Sequence, residues 1–329
     1  MLQPSMLRLV RSSVLQTLIL ALAVFSVNTG TAYATGSSTD WSGIQAAMGT
    51  DGAVLPGDVL RFQLVRNDTP YSVNGVPVYE GYIGSVTNGF VAFKEKRDGR
   101  FYVDGALPAQ ESELSALQDS LLQHRQFHIT AIYNHVTNLS PQLTWVHFEA
   151  TGSGVKLATW IAAALETIHN PHLGVFFVPG SNNVLPPGIL PPEFLDIFNE
   201  GYFATVESFF VFWLPRPDEK RLTLDDRVKA QTGLGVGQTF YINIDFSASN
   251  TNAVINVDFA LREDELAAVQ SILRAGGFTL PSLSTNYVSA NRPLYYLHAT
   301  GSGDGFALGS VLFKVITVIE QKSAVHGDD

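Results

Sequence analysis

Apolar residues recur along this chain in two rhythms. The stretches Val59–Arg66 (VLRFQLVR), Phe127–Tyr133 (FHITAIY) and Leu143–Ala150 (LTWVHFEA) are rich in β-branched and aromatic residues and predict strands. Between them, Leu114, Leu117, Leu121 and Leu122 fall on one face of a helix over 110–123. The run 155–168 (VKLATWIAAALETI) is almost wholly apolar, which predicts a buried helix. Asn138 to Pro141 supply the turn between the last two strands. Strands and helices in this order predict an α+β fold of mostly antiparallel sheet with helices packed on it.

The same order occurs twice. Ala150-Thr151-Gly152-Ser153-Gly154 recurs as Ala299-Thr300-Gly301-Ser302-Gly303, each time between a strand-like and a helix-like stretch. Upstream, ESELSALQDSLL (111–122) matches EDELAAVQSILR (263–274), and Asn134-His135-Val136 matches Asn286-Tyr287-Val288. A period of about 150 residues means a duplicated domain, not a solenoid. The copies read as unequal tandem repeats, because the span from Gly57 to Glu113 is far longer than that from Gly237 to Glu265. This gives a first repeat over 35–170, a connector over 171–222, a shortened second repeat over 223–321 and a tail over 322–329. The connector combines a Pro-rich stretch (178–194) with the aromatic run GYFATVESFFVFWLP (201–215), read as a core strand in preference to a patch for a partner.

Composition adds a location and removes some functions. The chain has 329 residues, 46% of them hydrophobic and 15% charged, enough to bury a sizeable core. It has no Cys, which excludes disulfides, thiolate metal sites, a Cys nucleophile and a lipid-modified Cys. A formal net charge of −10 argues against a nucleic-acid partner. Residues 1–34 read as a signal peptide. Arg8 and Arg11 precede a short apolar run, Val14–Val24, and Ala32-Tyr33-Ala34 fits the cleavage rule. The expectation is a periplasmic or secreted protein without a membrane anchor after cleavage.

The candidate chemistry lies in the first repeat. His135 and His147 are on adjacent predicted strands, and Glu149 shares the face of His147. Two imidazoles and a carboxylate suit a borderline metal or general acid–base work; two solvated strand histidines are the plain alternative. Arg66 and Asp68 share a face at a strand end, either as an anion clamp or as a structural salt bridge. Ser153 reads as a helix N-cap. His124, His128, His169 and His172 read as surface residues, and Asn67-Asp68-Thr69 is formally a glycosylation sequon. No nucleophile elbow, P-loop, dinucleotide fingerprint or metalloprotease helix motif is present.

The segments LVRNDTPYSVNGVPVYEGYIGSVTNGFVAF (64–93) and ITAIYNHVTNLSPQLTWVHFEATGS (129–153) resemble the LppY/LpqO family of bacterial exported proteins, built on a domain of unknown function. The resemblance spans 41–168 and, more weakly, 224–320. In the family a His-Asn-His triplet is followed by a Pro and a further His, a spacing similar to three-His metal sites in some secreted decarboxylases. Here the triplet is Tyr133-Asn134-His135, with Pro141 and His147 following. A three-His site therefore cannot form, and a phenol with pKa near 10 is a poor replacement ligand. The second copy, with Tyr287 matching His135, reads as a scaffold half. Its His298 aligns either with His147 or with Glu149.

These readings give a ligand-binding set of Arg66, Asp68, Tyr133, Asn134, His135, His147 and Glu149, with His135 and His147 as metal ligands for a divalent transition metal. The leading function is binding of a small molecule, anionic in kind, or of a metal. A metal-assisted lyase or hydrolase acting on a small oxyacid is the second reading. An envelope interaction protein is the third.

Overall fold

The computed structural model of the chain describes residues 39–55, 57–66, 68–78, 87–169, 172–175, 202–206, 209–218, 237–244, 252–285 and 294–325. The segment read as a signal peptide (1–34), the Pro-rich stretch (178–194) and Asn286–Val288 lie outside them.

The first repeat opens with α1 (Ser42–Met48) and runs through β1 (Ala53–Leu55), β2 (Val59–Val65), β3 (Ser72–Val73), β4 (Val76–Pro77), β5 (Gly89–Glu95) and β6 (Phe101–Ala109). It continues with α2 (Glu111–Leu122), β7 (Phe127–Tyr133), β8 (Leu139–Ser140), β9 (Thr144–Gly152), α3 (Gly154–Leu165) and β10 (His172–Val175). The second comprises β11 (Tyr202–Val206), β12 (Phe209–Pro215), β13 (Gly237–Ile244), β14 (Asn252–Leu261), α4 (Glu263–Ala275), β15 (Thr279–Ser284), β16 (Tyr295–Asp304) and α5 (Gly305–Val325).

The first sheet has the order β1-β2-β5-β6-β9-β7, with β10 on β2, and the second has β11-β12-β13-β14-β16-β15. The run β2-β5-β6-β9-β7 is repeated as β12-β13-β14-β16-β15, and the pairings are antiparallel. The α+β expectation therefore holds, as does the duplication. The aromatic run 201–215 forms β11 and β12, so it belongs to the second sheet and not to a connector. The counting from Gly57 and Gly237 is also corrected. The counterpart of β2 is β12, and the separations Arg66–Glu113 and Arg216–Glu265, 47 and 49 positions, are nearly equal, so the second copy is not shortened over this span.

Each sheet is apolar on one face because its strands alternate. Val103, Leu107, Val146 and Phe148 pack with Leu117, Leu121, Leu157 and Ile161 of α2 and α3. Ile255, Val257, Phe259 and Leu297 pack with Val269, Leu273, Leu312 and Ile316 of α4 and α5. The intervening residues point the other way, and these two helix-free faces meet. Val254 of β14 packs in one cluster with Tyr71, Val73, Leu139 and Trp145. On the same faces lie Asp104, His147 and Glu149 of the first repeat and Asn256, Asp258, His298 and Thr300 of the second. Among the described residues, no helix is long and apolar enough to cross a membrane.

Candidate metal centre

Arg66 is buried, and its guanidinium is engaged inside the first repeat. Nε and Nη2 donate to Asp68 at 2.9 and 2.7 Å, Nη1 donates to Glu113 at 2.8 Å, and Nη1 also reaches the Pro108 carbonyl at 3.2 Å. The second repeat builds the same arrangement. Arg216 donates to Asp218 at 2.9 Å, to Glu265 at 2.8 and 2.7 Å, and to the Ala260 carbonyl at 2.7 Å. Glu113 and Glu265 sit in the first turns of α2 and α4 and accept the backbone N–H of Gln110 and Arg262, each at 2.7 Å. Burial works to raise the Asp68 and Asp218 carboxyls, yet the paired arginines hold both below the usual carboxylate range. Of the two readings of Arg66 and Asp68, the structure shows the salt bridge, as part of an internal brace that ties a strand end to a helix start, and shows neither residue at the centre between the sheets.

The centre of interest lies between the sheets. His135, just past β7, places Nε2 2.7 Å from Oδ1 of Asp258 on β14. His298 on β16 places Nδ1 2.6 Å from the same oxygen. One ligand atom from each of these three residues lies within 4.8 Å of the others. A carboxylate can only accept, so both imidazoles donate to Asp258. Asp258 and His298 are cross-strand partners, which fixes their pairing through the sheet itself. Aromatic rings hold the imidazoles. Tyr133 stacks on His298 at 5.0 Å and 20°, and Trp145 lies 4.9 Å from His135.

The electrostatics follow from this packing. Burial works to raise Asp258, but His135 and His298 outweigh it and hold the carboxyl well below its usual range. Burial, with His135 alongside, pushes His298 down and keeps it neutral near pH 7, as metal ligation requires. Burial, with Asp258 and Asp104 nearby, pushes the Tyr133 phenol up. Tyr133 therefore stays protonated and serves as a wall for the centre, not as an anionic ligand.

His147 is not part of this cluster. The register pairs it with Ala131 and pairs Trp145 with Tyr133, so His147 is not across the hairpin from His135. It is fully buried, with Nδ1 2.8 Å from Thr130 Oγ1 and Nε2 3.3 Å from Asp104 Oδ1. Glu149 accepts from the Tyr102 hydroxyl at 3.0 Å. Asn134 is exposed and accepts from Thr144 at 3.2 Å. Of the expected site residues, the structure brings Tyr133 and His135 to the centre. Ser153 occupies an N-cap position but makes no side-chain capping bond. His124 stacks on Trp160 at 4.1 Å.

The second repeat is not a bare scaffold, since it supplies Asp258 and His298. His298 stands where the first repeat has His147. Each pairs through a bulged edge strand, with Ala131 and Ser282 opposite, and each lies seven positions before the first residue of its following helix, Gly154 or Gly305. The alternative alignment with Glu149 is thereby closed. A sequence signal for the carboxylates was present. Asp104 and Asp258 are the lone acids of β6 and β14, although they are not equivalent: Asp258 lies opposite His298, where Ala106 lies opposite His147.

Comparison with known proteins supplies a family. The model of a Domain of Unknown Function (DUF1259) matches residues 42–167 and again 199–318, which together make up more than half of the chain. This chain belongs to that family. The two matches cover most of the two sheets and their helices, so the DUF1259 domain is present here in duplicate. No curated protein matches the sequence. A solved structure, the trimeric bacterial microcompartment shell protein PduB, is similar over 82% of this chain and 91% of its own at 10% identity. Its TM-score of 0.22 is too low to carry an argument.

Proposed function

We propose that this DUF1259 protein binds one divalent transition-metal ion between its two repeats, through His135, Asp258 and His298. The observation that carries the proposal is the convergence of two imidazole nitrogens and a carboxylate oxygen within 4.8 Å, from β14, β16 and the residue two positions past the end of β7. Two His and one carboxylate form a donor set suited to zinc, iron, cobalt, nickel or manganese, and three protein ligands leave coordination positions open. Binding without turnover is the preferred reading. Arg66, which a small-oxyacid enzyme would use as its carboxylate clamp, is held in an internal ion pair. The same engagement counts against Arg66 as a clamp for a free anion. We also read the chain as an exported protein of LppY/LpqO type, supported by Arg8, Arg11, the apolar run after them and Ala32-Tyr33-Ala34.

The test is elemental analysis of the full chain, purified without chelator or affinity metal and then incubated with each ion and dialysed. The expected result is about one ion per chain, lost in His135→Ala and in Asp258→Ala, with the fold checked by circular dichroism. A wild-type chain that retains no ion after any incubation overturns the proposal.

A further inference from the structure

We infer that occupancy of this centre controls how firmly the two repeats close on each other, so that the ion acts as a clasp between them. The inference rests on the metal-binding reading and extends it to the regulation of that site. Each repeat is complete in its own interior. The first has its own apolar core and its Arg66–Asp68–Glu113 brace, and the second has its own core and Arg216–Asp218–Glu265. Among the described residues, two polar contacts between the repeats lie at the centre or beside it. His135 meets Asp258, and two residues further along the Thr137 N–H donates to Thr300 Oγ1 at 3.3 Å.

The ligand set divides unequally across this interface. His135 belongs to the first repeat, whereas Asp258 and His298 are cross-strand neighbours in the second. When the repeats are closed, an ion meets three donors. When they part, it keeps at most two. A ligand that binds one state better shifts the equilibrium toward that state by its differential affinity. If the open form has no significant affinity, free ion at 100 times Kd lowers the open population about a hundredfold.

The absence of Cys makes this measurable, since introduced cysteines are the sole labelling sites. Ala116→Cys on α2 and Lys314→Cys on α5 are exposed positions on the outer helices of the two repeats. Spin labels there report the distance between the repeats by pulsed dipolar spectroscopy. The expected result is a broad distribution with a longer component in chelator and a single narrow distance in zinc. With Asp258→Ala in the same labelled chain, the distribution stays broad in zinc. Should that variant fail to fold, Asp258→Asn, which keeps the shape and loses the charge, carries the same expectation. Calorimetry on the labelled chain separates the two ideas. One zinc bound with an unchanged distance distribution overturns the clasp and leaves the binding reading standing. No zinc bound overturns both.

Discussion

Arg66 and Arg216 show how much a single side chain can fix in this protein. Each guanidinium is buried against two carboxylates and a backbone carbonyl, so removing it leaves uncompensated charge inside the fold. Arg216→Ala is expected to destabilise the chain by about 3–5 kcal/mol in denaturant unfolding. The paired aspartates give a pH dependence with a definite sign. The folded carboxyls of Asp68 and Asp218 titrate below the unfolded value, so their contribution is complete above the ordinary aspartate range, begins to fall there, and is lost as the pH drops through the lower folded values. Urea unfolding from pH 6 to 3 should therefore show a steeper acid loss in wild type than in the Asp68→Asn, Asp218→Asn double variant. Equal slopes would contradict the assignment. The Arg66–Asp68 pair was legible from strand alternation. Its third member, Glu113, was not, because it arrives from a helix start 47 residues away.

Strands and helices were the most legible level. The predicted helix over 110–123 and strand over 127–133 match α2 and β7 closely, because helical and strand spacing of apolar residues reflect a buried face. Register was not legible. The repeated pentapeptide suggests that Gly152 matches Gly301, yet α3 starts at Gly154 and α5 at Gly305, which shifts the motif by two positions. A shift of two keeps every side chain on its own face, so alternation alone cannot detect it. Alternation likewise puts His135 and His147 on one face without fixing what lies opposite, which is Ala131 for His147. Close packing within the sheet gives a further expectation. Gly105 of β6 lies beneath the ring of its cross-strand partner Phe148, and a Cβ there would stand 2.5 Å from that ring. Gly105→Ala should cost about 1–3 kcal/mol through overpacking, seen as a lowered midpoint in thermal or urea unfolding. An unchanged midpoint would mean that Phe148 has room to move.

For the whole molecule, the decisive fact is that the polar faces of two homologous sheets meet. Sequence reading found the duplication but placed the site in one copy, since Tyr287 seemed to leave the other bare. Contacts between residues as far apart as His135 and Asp258, 123 positions in sequence, depend on how the repeats dock, which neither repeat encodes alone. A centre shared between copies also predicts that ligands from the second repeat matter as much as His135, and that His147 does not matter directly. The most direct test is calorimetric titration of zinc into wild type, His298→Ala and His147→Ala, each first shown to be folded. The account predicts one site in wild type, no measurable site in His298→Ala, and binding retained in His147→Ala. Binding that survives His298→Ala and disappears in His147→Ala would contradict it and return the site to the first repeat.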